Sequence, residues 1–326
     1  HAIRVMRFAI RDMTTKQIFE IAVQMGMKAD LRGVARVKKY LEKTKAKYEK
    51  LTKEQQTDFD MEKLTNPYSD SRLLVDNGKK AIKKIMAGID CEGSELLLAD
   101  KFGVDLVITH HPEGKALADL HSVMDLQAEV LAGYGVPINI AESLIKPRIS
   151  EVSRGLSPVN HNRAVDSAKL LKMDYMCTHT IADNQGAQFI SDLLKKKKPE
   201  TVEEILKMLK DIPEFKEAVK FKAGPTLFVG HPDNSCGRVA ITEFTGGTSG
   251  AKEIYEKMSN AGIGTIIGMH MGEEHRKEAE KYHINVVIAG HMSSDSLGMN
   301  LFLDQVEKKG VEIIPCSGLI RVKRSK

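Results

Sequence analysis

Apolar and polar positions follow two textures along this chain. From about residue 14 to 63 they recur at helical spacing. TTKQIFEIAVQMGM opens on threonines able to cap a helix, and RGVARVKKYLEKTKAKYEKLTKEQ interleaves Lys and Glu three and four residues apart. NPYSDS then reads as a loop. From Lys79 the texture changes: KKAIKKIMAGID leads into a short β-type run, CEGSELLLADKFG is an amphipathic helix, and VDLVITHHP is an apolar strand ending in polar residues. A mostly helical stretch from about 113 to 172 follows. DYMCTHTIAD is another strand running into polar residues, and NQGAQFISDLLKKKK and TVEEILKMLKDI are helices. In the second half GRVAITEF, GIGTIIGMH, INVVIAGH and VEIIPCSG read as strands. They are separated by helices in GGTSGAKEIYEKMSNAG, EEHRKEAEKYH and SDSLGMNLFLDQVEKKG. Strands alternating with helices predict an α/β protein with parallel strands, whose ligands gather beyond the strands' carboxyl ends.

A chain of 326 residues exceeds what one core usually organises, so the texture divides into segments. Residues 1–65 form a helical N-terminal extension, 66–235 a first α/β lobe with a helical insertion at about 113–172, and 236–326 a second α/β lobe. Aromatic content of 5% with no tryptophan leaves few stacking platforms for single-stranded nucleic acid. The net charge of +5 permits anion binding without requiring it. The lysine-rich segment before residue 63 reads as a solvated helix face rather than a nucleic-acid arm, because glutamates run through it. The KKKK run suits the last turn of a helix. No apolar run approaches the roughly 18 residues of a membrane span. HAIRVMRFAIRDM lacks the small-residue cleavage site of a signal peptide. Cys91, Cys177, Cys236 and Cys316 lie far apart with no CxxC pair, which favours reduced thiols and a cytoplasmic location.

Three strands end in histidine-containing clusters: VITHHP in His110 and His111, MCTHTIAD in His179 with Asp183 four residues on, and VVIAGHMSSD in His291 with Asp295 four residues on. Adjacent histidines on an extended strand point to opposite sides. They serve one locus only where the chain turns, as Pro112 encourages, or where each imidazole meets its own ion. In HxxxD the histidine closes the strand, and the aspartate falls in the first turn of the next helix, where a carboxylate is also favoured electrostatically. Mixed His/carboxylate sets suit zinc, manganese, iron or cobalt. Taken singly, a strand-end histidine or a helix-capping aspartate carries no such meaning.

VDLVITHHP, HTIAD and VIAGHMSSD occur in this order, with GGTSGA and GMHMGEEH between the last two. This set resembles the NGG-interacting-factor-three-like family of dinuclear-metal proteins, often labelled GTP cyclohydrolase 1 type 2. The resemblance covers about residues 66–111, 174–190 and 236–322. It implies two α/β lobes around a dinuclear cleft holding two divalent ions. His110, His111, Asp183 (the acid of HTxxD), His291 and Asp295 (of GHxxxE) would be the ligands. Asp295 departs from the pattern, standing one methylene short of the family's usual glutamate. His179, His270 and Glu274, with His275 behind, are the candidates for acid–base work, and GGTSG is either a phosphate cradle or a tight turn. The resemblance further implies a homo-oligomer, a toroidal hexamer, and a hydrolase of phosphate-bearing or nucleotide-like substrates. The alternative is a metal-stabilised, non-catalytic scaffold or regulatory binding protein.

Overall fold

The computed structural model describes residues 12–324. The HAIRVMRFAIR stretch, read for a leader signal, lies outside them. Nine strands are present among the described residues: β1 (Ser71–Val75), β2 (Lys84–Gly88), β3 (Leu106–Thr109), β4 (Asp174–Thr178), β5 (Thr226–Val229), β6 (Arg238–Ile241), β7 (Ile263–Gly268), β8 (Asn285–Ile288) and β9 (Glu312–Pro315). They form two sheets, in the orders β1-β4-β3-β2-β9 and β5-β8-β7-β6. In each, three successive strands run parallel and the first strand of the set lies antiparallel at the edge. The chain is thus an α/β protein of two similar lobes.

Parallel strands must be covered on both faces, and their side chains divide accordingly. In the first sheet Ile85, Ala87, Leu106, Ile108 and Met176 face inward. They pack with Ile18, Phe19 and Ala22 of the N-terminal helix (Thr15–Ala29) and with Phe302, Leu303 and Val306 of the helix His291–Glu307. The alternate residues Met86, Val107 and Tyr175 pack outward against the helices Gly93–Lys101 and Arg163–Leu170. The second sheet turns Ile241, Ile267 and Val287 toward Ala187 and Ile190 of the helix His179–Lys197 and toward Leu297. Two helices, His179–Lys197 and His291–Glu307, therefore form a shared layer between the sheets. Each fully buried aliphatic or aromatic side chain there contributes about 1.5–3 kcal/mol.

These central helices cross at matching glycines, each seven residues past the histidine that opens its helix. A Cβ on Gly298 would sit 2.1 Å from the Ala182 carbonyl oxygen, and one on Gly186 would lie 3.5 Å from the Ser294 carbonyl oxygen. At Gly298 only glycine permits this approach.

Strand pairing departs from chain order in two places. β9 lies within the 236–326 segment yet pairs with β2 of the first sheet, while β5, before residue 236, joins the second. The NPYSDS segment read as a loop runs into β1, with Asn66, Asp70 and Ser71 buried. The 113–172 segment is helical, and it reaches across: Met124, Ala128, Ala141 and Ile145 pack on the second sheet beside Ala240, Ile266 and Val286. In the lysine-rich helix Val34–Glu49 only Val37 is buried. No helix among the described residues is long and apolar enough to cross a membrane.

Candidate metal centre

The carboxyl ends of β3, β4, β7 and β8 meet where the central helices begin. At β3 the chain turns: His110 donates its amide to Gly88 O (2.9 Å) and His111 donates to Ile89 O (2.9 Å). That turn brings both imidazoles to one locus, with ring centroids 5.3 Å apart. β4 runs straight into the helix His179–Lys197, whose first nine residues are all buried, so His179 and Asp183 stack one turn apart. After β8, Ala289 and Gly290 lead into the helix His291–Glu307, which stacks His291 and Asp295 one turn apart in the same way.

The resulting distances fall into two overlapping groups. His110 Nε2 lies 3.3 Å from Asp183 Oδ1 and 3.5 Å from Asp295 Oδ1. His111 Nε2 and His291 Nε2 lie 3.6 and 3.7 Å from Asp295 Oδ2. Asp295 thus turns one oxygen toward each group. A third set joins His110, His111 and His179, and in each of the three sets the ligand-capable atoms lie within 4.8 Å of one another.

Charge and hydrogen bonding fit a cation. Both ring nitrogens of His110, Asp183 Oδ1 and both oxygens of Asp295 are buried with no hydrogen-bond partner, a costly arrangement unless another group satisfies them. Burial opposes charge on His110, but Asp295 and Asp183 outweigh it and hold the proton up to about 10. His179 is raised likewise, Asp183 and Asp70 overcoming burial. His111 is lowered by burial and by the neighbouring His110 and His179, and His291 is lowered mainly by burial. The donor set, imidazole nitrogens and carboxylate oxygens, is compatible with metal binding.

Supporting carboxylates went unmarked in the sequence. Asp70 Oδ2 is 2.7 Å from His179 Nδ1 and also accepts from Thr180 Oγ1 at 2.7 Å. Asp90 Oδ1 is 2.6 Å from His111 Nδ1. Such partners fix ring orientation. Neither aspartate lies in a motif; only its place just before or after a β-type run hints at it.

Of the remaining candidates, His270 joins the cluster, its ring 5.0 Å from His291 and its Nδ1 3.3 Å from Ser249 Oγ. It lines a small cavity with His179, Asp183, Glu243, Thr248 and His291. Glu274 does not join: its exposed carboxylate pairs with Lys277 at 2.9 Å and Lys252 at 3.6 Å. His275 contacts Tyr255 OH at 3.3 Å. In GGTSG, Gly246 and Gly247 take left-handed backbone, and the following helix starts only at Ile254. Gly247 and Thr248 line the same cavity.

Fold and site together define a class: a two-lobed α/β protein with a buried His/Asp cluster, compatible with metal binding, where the lobes meet. Comparison with known proteins gives the class its family. The chain belongs to the Duf34/NIF3 (NGG1p interacting factor 3) family, whose model matches residues 46–317 and so runs through the 113–172 segment. A NIF3 superfamily protein from Sphaerobacter thermophilus is similar in structure at 25% identity and TM-score 0.74, covering 95% of this chain and 100% of that one. Weaker likenesses are reduced HcgD from Methanocaldococcus jannaschii (20% identity, TM-score 0.43, 74% and 87% of the two chains) and a Bacillus cereus protein related to NIF3 (9%, 0.46, 97% and 99%). A search of the curated proteins finds no match.

Proposed function

We propose that this chain is a metal-dependent hydrolase in which His110, His111, Asp183, His291 and Asp295 hold two divalent ions and the substrate bears a phosphate or resembles a nucleotide. The observation that carries the reading is the division of Asp295's two buried, otherwise unpartnered oxygens between two ligand groups. Ions bound there would lower the pKa of a water and stabilise oxyanion charge at a phosphoryl or carbonyl group. The chain's own residues do the rest. Asp70 and Asp90 hold the His179 and His111 rings in place. His270, steadied at Nδ1 by Ser249, faces the cavity and is placed to carry a proton. Gly247 and Thr248 line the same cavity, where a phosphate group would rest. The GTP cyclohydrolase label names one nucleotide-like substrate among several that such a cavity would take. Family resemblance adds a homo-oligomer, a hexameric toroid, as the working assembly, and the cysteine usage a cytoplasmic location.

The test is a screen of nucleotides and phosphoesters with metal-restored protein, comparing wild type with His110→Ala. Turnover that needs added metal and is lost in the variant supports the reading. Metal-loaded wild type that turns over none of these substrates sinks the hydrolase and leaves the metal-stabilised scaffold.

A further inference from the structure

Cys91 and Cys316 stand 225 residues apart in the chain, yet their Sγ atoms are 3.7 Å apart. The pairing of β2 with β9 causes this. Ala87 stands opposite Pro315, and Cys316 donates its amide to Ala87 O at 2.9 Å, so the turns leaving both strands lie side by side. Both thiols cover Gly88, where a Cβ would meet Cys91 Sγ at 2.7 Å and Cys316 Sγ at 3.0 Å. Cys91 is buried and Cys316 is partly exposed. An accessible thiol backed by a resolving thiol is the usual layout of an oxidation-sensitive pair. The hydrogen bond from Cys91 also draws the Cys316 thiol's pKa down, which favours the nucleophilic thiolate.

The same turns hold the metal cluster's support. Asp90, next to Cys91, meets His111 Nδ1 at 2.6 Å and accepts Ser317 Oγ at its backbone carbonyl at 2.6 Å. Ser317, next to Cys316, accepts the Ile89 amide at 2.9 Å.

We propose that Cys91 and Cys316 form an oxidation site, a dithiol that closes to a disulfide and weakens metal binding through Asp90, the second clause resting on the metal reading above. With a peroxide as oxidant, the Cys316 thiolate attacks one oxygen, the O–O bond breaks and Cys316 becomes a sulfenic acid as the first water leaves. The Cys91 sulfur then attacks that sulfur, forming S–S and breaking S–O, and a second water carries off its proton. Two thiols lose two electrons and two protons, and one peroxide becomes two waters. Closing 3.7 Å to a bond of about 2.05 Å brings the two sulfurs about 1.7 Å closer, and Asp90, next to Cys91, lies on a turn that must accommodate the bond.

The experiment uses full-length reduced protein, treated with stoichiometric hydrogen peroxide and followed by thiol titration and peptide mapping. Zinc affinity is measured by calorimetry before and after oxidation. Wild type is expected to fall from four free thiols to two, with a Cys91–Cys316 cross-link. Cys316→Ser, at the more exposed position, and Cys91→Ser should form no cross-link. Oxidised wild type should bind zinc at least about tenfold more weakly, the loss typical of disturbing a ligand's supporting partner. Four thiols persisting in wild type, or a cross-link between other cysteines, overturns the oxidation site. A Cys91–Cys316 disulfide with unchanged zinc affinity overturns the coupling. Reduced protein that binds no zinc overturns the metal reading and the coupling together, while the thiol count still decides the oxidation site.

Discussion

The two lobes repeat one strand order, and each places a histidine after its third strand and an HxxxD after its fourth, yet they equip these residues differently. In the first lobe His111 and His179 are braced by carboxylates at 2.6 and 2.7 Å, and His110 is fully buried. In the second, His270 has a hydroxyl at 3.3 Å, while the nearest ionic partner of His291 is Asp295 at 3.7 Å and 39% of the His291 side chain is exposed. A carboxylate behind an imidazole makes it a stronger, better-oriented ligand, whereas a hydroxyl leaves its tautomer free. The first lobe therefore braces its imidazoles with carboxylates, and the second leaves its imidazoles less constrained. Asp295 joins the halves, reaching from a second-lobe helix toward first-lobe imidazoles.

The sharpest way to break this comparison is to exchange the two HxxxD acids. Asp295→Asn should remove both metal equivalents and Asp183→Asn about one, read by elemental analysis after desalting. Equal losses would erase the distinction between a bridging and a one-sided acid. The crossing glycines come next. Gly298→Ala drives a methyl toward the Ala182 carbonyl at 2.1 Å and should cost about 3 kcal/mol, near the upper end for overpacking, by chemical denaturation. Gly186→Ala meets the movable Phe244 ring at 3.2 Å and gains about 1 kcal/mol of helix propensity, so it should be close to neutral. The braces come last. Asp90→Asn, behind the ligand His111, should weaken metal binding by about 10- to 100-fold, and Ser249→Ala, behind the non-ligand His270, by less, in a competition titration.

How far the sequence reveals this molecule depends on how local each signal is. β3, β4, β7 and β8 are apolar runs buried on both faces, and their ends carry the motif residues, so strand and candidate ligand are read together. β1 and β5 were not legible. Both are short antiparallel edge strands with a register shift, and β5 leaves Thr226 and Phe228 exposed. β9 was legible as a strand, but its partner β2 lies more than 200 residues away, and no local pattern records such pairing. Asp70 and Asp90 escaped for the same reason: each matters only through a ring more than twenty positions off. Glu274 falls within GMHMGEEH, but the helix Glu273–Lys281 turns it outward to lysines.

The central claim, that distant imidazoles and carboxylates assemble one two-ion site, is tested most directly by anomalous diffraction from crystals soaked in manganese or zinc. Two peaks are expected about 3.5–4 Å apart, one beside His110 and Asp183, the other beside His111 and His291, with Asp295 between them. No anomalous density among these five side chains, or a lone peak that Asp295 does not touch, would contradict it.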